Sequence, residues 1–100
     1  MTTAKTETEN KVVEIKNKFG KQEKQTAGGV EYTFQFPGTR KVQEMLDGAK
    51  VRGAFSDTVY NEQMMEHVIV SPKVDWDYWD EHDGYREVMD AADRFLGRLL

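Results

Sequence analysis

No cysteine occurs in this 100-residue chain. That excludes a disulfide framework, a thiol nucleophile and a thiolate metal site. Histidine is nearly as scarce, with only His67 and His82. A zinc site wants three or four nitrogen, sulfur or oxygen ligands in a closed shell. His82 stands beside Asp80, Glu81 and Asp83, but consecutive residues seldom converge on one ion, and a polar turn is the simpler reading. No apolar run approaches the roughly 18–20 residues of a membrane span. The first ten residues, MTTAKTETEN, lack the apolar stretch of a signal peptide. These absences point to a cytoplasmic protein with no metal, no cofactor and no membrane partner.

Catalytic patterns are missing too. Asp75 and Asp77 open like a calcium loop, but position six is Asp80 rather than Gly and position twelve is Arg86 rather than Glu. Ser56 and Ser71 lack a nucleophile-elbow context. Gly28-Gly29 precedes a strand-like run, whereas a phosphate loop follows a strand and opens a helix. Carboxylates are abundant, yet nothing singles out an acid/base pair. The chain reads as a non-enzyme.

What is present is charge, unevenly spread. Charged residues make up 32% of the chain and the net charge is −4. Residues 1–50 carry nine Lys/Arg and seven Asp/Glu, while residues 51–100 carry five and eleven. Lys11, Lys16, Lys18, Lys21 and Lys24 form the one basic cluster. Its simplest reading is a strand edge protected by lysine. Nucleic acid is not an expected partner, because phosphate binding needs a concentrated basic face.

Hydrophobic spacing predicts an α+β fold. Residues 1–10 are polar and form a flexible tail; residues 11–100 form one domain. Val13, Ile15 and Phe19 alternate with Glu14, Lys16 and Lys18, predicting a strand over 11–19. Residues 20–29 read as a polar connection longer than a two-residue turn. Val30, Tyr32, Phe34 and Phe36 form the buried side of a second strand, giving an N-terminal β-hairpin. Pro37-Gly38 stops it, and Thr39 is the expected N-cap of a helix to Ala49 bearing Val42, Met45, Leu46 and Ala49 on one side. Residues 50–54 read as a link. Ser56 or Asp57 caps a second helix to about Ile69, with Val59, Tyr60, Met64, Met65 and Val68 as its buried candidates. The strongest signal is a third helix capped by Asp83, whose stripe is Tyr85, Val88, Met89, Ala92, Phe95, Leu96 and Leu99.

Between the last two helices lies an aromatic-acidic run. Trp76, Tyr78 and Trp79 sit among Asp75, Asp77, Asp80, Glu81 and Asp83. Unpaired acids are costly to bury, so this run belongs at the surface. Its aromatics turn either inward as core or outward as partner anchors. Trp76, Tyr78 and Trp79 are therefore candidate partner contacts, together with Met64 and Met65, since helical Met suits adaptable surfaces when it is not core. The basic N-terminal and acidic C-terminal halves also suggest head-to-tail self-association of Lys16, Lys18 and Lys21 with Asp75, Asp77 and Asp80.

Val-Ile-Val-Ser-Pro-Lys-Val-Asp-Trp-Asp-Tyr-Trp-Asp, followed by a helix closing on Ala-Asp-Arg-Phe-Leu, resembles the tail assembly chaperones of long-tailed bacteriophages that infect Gram-positive hosts. Tyr-Thr-Phe-Gln-Phe-Pro-Gly and Met-Glu-His-Val-Ile-Val look like earlier parts of the same family. The resemblance covers about residues 11–100. It implies a small oligomer-forming protein of the bacterial host cytoplasm, absent from the mature virion. Such a protein coats the tape measure protein, keeps it soluble and brings tail tube protein to it. Two other readings fit the same texture: a structural head–tail connector or tail completion protein, and a small phage protein that binds and regulates a host protein.

Overall fold

A computed structural model describes residues 17–100. The tail expected over residues 1–10 lies outside the described residues, as does the expected strand over residues 11–16. Its remaining part is not strand. Asn17 Oδ1 accepts from the Phe19 backbone N–H at 2.9 Å. The Lys21 N–H donates to the Lys18 carbonyl at 3.0 Å, closing a turn. Phe19, expected on the buried side, is 67% exposed.

The hairpin exists but uses a different first strand. β1 spans Gln22–Ala27 and β2 spans Val30–Gln35, paired antiparallel from Gln22↔Gln35 to Ala27↔Val30. Residues 22–27 thus form a strand where a polar connection was expected. Gly28 and Gly29 alone make the turn, at φ 57° and 81°. Positive φ at both central residues suits the right-handed twist of the flanking strands. β2 behaves as its alternation predicts: Tyr32, Phe34 and the following Phe36 are buried, while Glu31 is exposed and Thr33 and Gln35 are half-buried.

α1 spans Thr39–Gly48 and buries Val42 and Met45. Gly38, not Thr39, is its N-cap, and no side chain caps it. The expected link at residues 50–54 is mostly a small hairpin of β3 (Lys50–Val51) and β4 (Ala54–Phe55). Arg52 and Gly53 turn it at φ 54° and 81°. α2 spans Asp57–His67 and is capped by Ser56, whose hydroxyl accepts from the Val59 N–H at 3.3 Å.

α2 stops two residues earlier than its expected end. Ile69–Ser71 instead form β5, antiparallel to β2, with a bulge between Thr33↔Ser71 and Phe34↔Ile69. The sheet order is β1-β2-β5, so β2 is central. β-branched Val68-Ile69-Val70 favours a strand over a final helical turn. A short helix, α3 (Trp76–Glu81), forms within the aromatic-acidic run, where spacing predicted no element. α4 spans Tyr85–Leu99 and buries Val88, Met89, Ala91, Ala92, Phe95 and Leu96. Gly84, in the left-handed region at φ 101°, is its N-cap in place of Asp83. A Cβ there would lie 3.3 Å from the Ala27 Cβ, so only glycine lets α4 begin so close to β1.

α4 crosses β1 and β2, with Phe95 against Phe34 at 5.9 Å between ring centroids. Its far end is tied to the hairpin as well. Arg98 donates to both carboxylate oxygens of Glu23 at 2.5 and 2.6 Å. Over the described residues the fold is α+β: an antiparallel hairpin extended by a third strand, a separate two-stranded hairpin, and four helices. Among the described residues no helix is long and apolar enough to cross a membrane.

Candidate functional site

The aromatic-acidic run folds because Asp75 caps it. Its carboxylate accepts from the Tyr78 N–H at 2.8 Å, satisfying a donor that a helix start leaves open. The six-residue helix that follows sorts its aromatics by direction.

Tyr78 and Trp79 turn inward. The Trp79 ring stacks on Tyr32, centroids 5.6 Å apart at 30°. The Tyr78 and Tyr32 hydroxyls are 2.7 Å apart. Burial, and then the bond to Tyr78, pushes the Tyr32 phenol well above its usual range, so it stays neutral. His82 stacks on Tyr78 at 3.9 Å and 8°. The Trp79 indole N–H is buried without a hydrogen-bond partner among the described residues, so ring packing alone holds it. These two residues cover the core and leave little ring surface for a partner.

Trp76 turns outward. It is 36% exposed, its Nε1 donates to Glu62 Oε2 at 2.9 Å, and its ring leans on Tyr85 at 5.7 Å. Beside it a groove of about 400 Å³ opens between α2 and the segment that enters α3. Met65 and Val74 lie in its floor, 4% and 7% exposed. Glu62, Glu66 and Asp75 edge it. Lys73 reaches the Met65 and Glu66 carbonyls at 3.4 and 3.3 Å, supporting the last turn of α2. The result is an apolar slot under one indole wall, with an acidic rim.

Of the five expected partner contacts, Trp76 and Met65 line this groove. Met64 does not: it is 0% exposed and belongs to the core, packed away from any partner. The six expected self-association residues fall in two places. Lys18 and Lys21 are exposed at the start of β1, where Lys18 Nζ also donates to the Leu99 carbonyl. Lys16 lies outside the described residues. Asp75, Asp77 and Asp80 are exposed around α3, although Asp75 is also the helix cap. The Asp83 backbone that follows α3 approaches Gly28, beyond the other end of β1. Lysines and aspartates therefore sit toward opposite ends of the hairpin rather than on one patch.

Among the described residues no group of three or more His, Cys, Asp or Glu side chains is placed to hold a metal ion. The sequence carried no signal for Glu62, Glu66, Lys73 and Val74 as groove residues. They meet Trp76 only because α2 and the segment after β5 pack side by side. No protein-family model matches the chain, and no curated protein or solved structure matches it either.

Proposed function

We propose that the protein is a binding protein rather than an enzyme, and that it acts as a phage tail assembly chaperone. In this reading it works in the bacterial host cytoplasm, covers apolar stretches of the tape measure protein, recruits tail tube protein and leaves before the virion matures. The sequence likeness is what supports the family reading. The observation that carries the reading to a surface is Trp76: an exposed indole over a Met65–Val74 floor with an acidic rim. Exposed tryptophan beside an apolar slot is a common form of protein hot spot. The acidic rim would keep a coated complex from precipitating.

The opposed lysines and aspartates support self-association. Lys18 and Lys21 of one copy would meet Asp77 and Asp80 of the next. Such a head-to-tail contact need not close, so it builds a ring or a spiral able to sheathe a long client. Exposed ion pairs contribute only about 0–1 kcal/mol each, so assembly should weaken with salt.

The test is co-expression with a tape measure protein. The reading expects the client to become soluble with the wild type and to precipitate with Trp76→Ala, while the variant itself stays folded. A client equally insoluble with and without the wild type would end the chaperone reading. Finding the protein in finished particles would favour a connector or completion role instead. A host protein recovered in place of a tail client would favour the regulator.

A further inference from the structure

Two Asp-Gly steps occur in the chain, Asp47-Gly48 and Asp83-Gly84, and no Asn-Gly step. An Asp-Gly step is chemically vulnerable. Glycine has no Cβ to shield its nitrogen or to restrict its backbone, so that nitrogen can reach the aspartate Cγ and close a five-membered imide.

The fold treats the two steps differently. Asp47 and Gly48 lie in α1, where each N–H is tied to the carbonyl four residues back. Asp47 Oδ1 also accepts from Gln43 Nε2 at 3.0 Å. Asp83 and Gly84 lie between α3 and α4. Asp83 is exposed, and its carboxylate does not cap α4. Among the described residues it takes part in no salt bridge, and the Gly84 N–H donates to no backbone carbonyl. Nucleophile and target are thus both unengaged at the second step.

The main chain here has little room to lengthen. The Asp83 carbonyl oxygen lies 3.1 Å from where a Gly28 Cβ would stand, and a Gly84 Cβ would lie 3.3 Å from the Ala27 Cβ. Tyr85 follows at once. Its hydroxyl accepts from Asn61 Nδ2 at 2.8 Å, and its ring supports Trp76 at 5.7 Å.

We propose that Asp83 is a site of spontaneous isomerisation to isoaspartate, and that the change takes from Trp76 the support of Tyr85. The Gly84 nitrogen bonds to Asp83 Cγ, and its proton leaves with the carboxyl OH as water. Water then adds at the Asp83 main-chain carbonyl carbon, breaking the original peptide bond and freeing that carbon as a carboxylate. The chain now runs through Cβ and Cγ and is one atom longer. One water leaves and one enters, so no oxidant, cofactor or enzyme takes part. The added atom pushes the start of α4 off the Gly28-Gly29 turn, and Tyr85 moves with it. The proposal needs no partner and does not rest on the chaperone reading.

The experiment ages the full chain for weeks at physiological pH and temperature, in buffer and in unfolding guanidinium chloride. Trypsin places the two steps in separate peptides, residues 42–50 and 74–86. Electron-transfer fragmentation then distinguishes isoaspartate from aspartate of the same mass. The folded chain should accumulate isoaspartate at Asp83 and not at Asp47, while the unfolded chain accumulates it at both. Asp83→Glu, which would need a six-membered ring, should block it. The aged folded chain should show tryptophan emission shifted red and a lower urea midpoint, and aged Asp83→Glu should show neither. Equal accumulation at the two positions in the folded chain, or isoaspartate at Asp83 only after unfolding, would overturn the site. Isoaspartate at Asp83 with emission and midpoint unchanged would overturn its link to Trp76.

Discussion

Replacing Phe95 by alanine tests how the molecule is held together. Phe95 lies midway along α4, is 2% exposed, and meets Phe34 of the central strand at 5.9 Å. Phe34 is itself 0% exposed, so neither ring can recover its lost contacts from water. Truncating a buried Phe to Ala costs about 3–5 kcal/mol, from lost transfer energy and from the cavity left behind. A domain of this size has about 5–15 kcal/mol in total. Each kcal/mol corresponds to about 4–8 °C here, so Tm should fall by roughly 12–40 °C. The assay is urea unfolding followed by fluorescence of Trp76 and Trp79, which lie in α3 and pack on Tyr85 at the start of α4, away from the mutated position. Phe19→Ala is the control, the same chemical change at a site 67% exposed, where less than about 1 kcal/mol is expected. If the two substitutions lower the urea midpoint equally, α4 is not the cover of the sheet.

Asp75→Ala should remove about 0.5–2 kcal/mol by uncapping α3, and the tryptophan emission should shift red as the helix loosens. Two glycines at opposite ends of α4 should respond with opposite signs. Gly84→Ala meets Ala27 at 3.3 Å with φ at 101° and should cost roughly 1–3 kcal/mol, whereas Gly97→Ala, on an open face of α4, should gain about 0.5–1 kcal/mol; urea midpoints of the pair measure both. Alkali should destabilise the fold. Burial, and then bonds to Tyr78 and Asp93, raises the Tyr32 and Tyr60 phenols above their ordinary value of 10.0. The folded chain therefore keeps protons that the unfolded chain loses first. This contribution is complete below pH 10 and falls above it. A urea midpoint that declines above about pH 10, and declines less in Tyr60→Phe, is the expected result.

Periodicity made the large apolar elements legible. The stripe from Tyr85 to Leu99 and the alternation from Val30 to Phe36 each bury the side their spacing indicates. What escaped was held by other forces. β1 carries only Ala27 as a buried apolar residue. Its remaining residues, Gln-Glu-Lys-Gln-Thr, join the sheet through backbone hydrogen bonds and the Arg98–Glu23 pair, and hydrophobic spacing cannot register either. The Gly28-Gly29 pair was the available signal, as a two-residue hairpin turn. Gly38 and Gly84 displaced the expected caps Thr39 and Asp83 because each chain reversal needs positive φ at the glycine itself. Trp76, Tyr78 and Trp79 were visible as an aromatic group, but which ring faced outward depended on the capped turn at Asp75. The groove depends on α2 packing against the segment after β5, a contact that spacing does not encode, so only Trp76 and Met65 of it were legible.

The clamp of Arg98 on Glu23, seventy-five positions apart, also governs when this molecule can fold as it is made. The β1–β2 hairpin bearing Phe34 is made early in translation, whereas its cover Phe95 follows sixty-one residues later. At about 5–20 residues per second, a ribosome leaves it without that cover for roughly 3–12 s. A nascent chain that stalls before Asp83 would present Phe34 without the Phe95 ring that covers it. The Arg98–Glu23 contact thus joins the first strand described to the last helix described, and it forms only once both have been made.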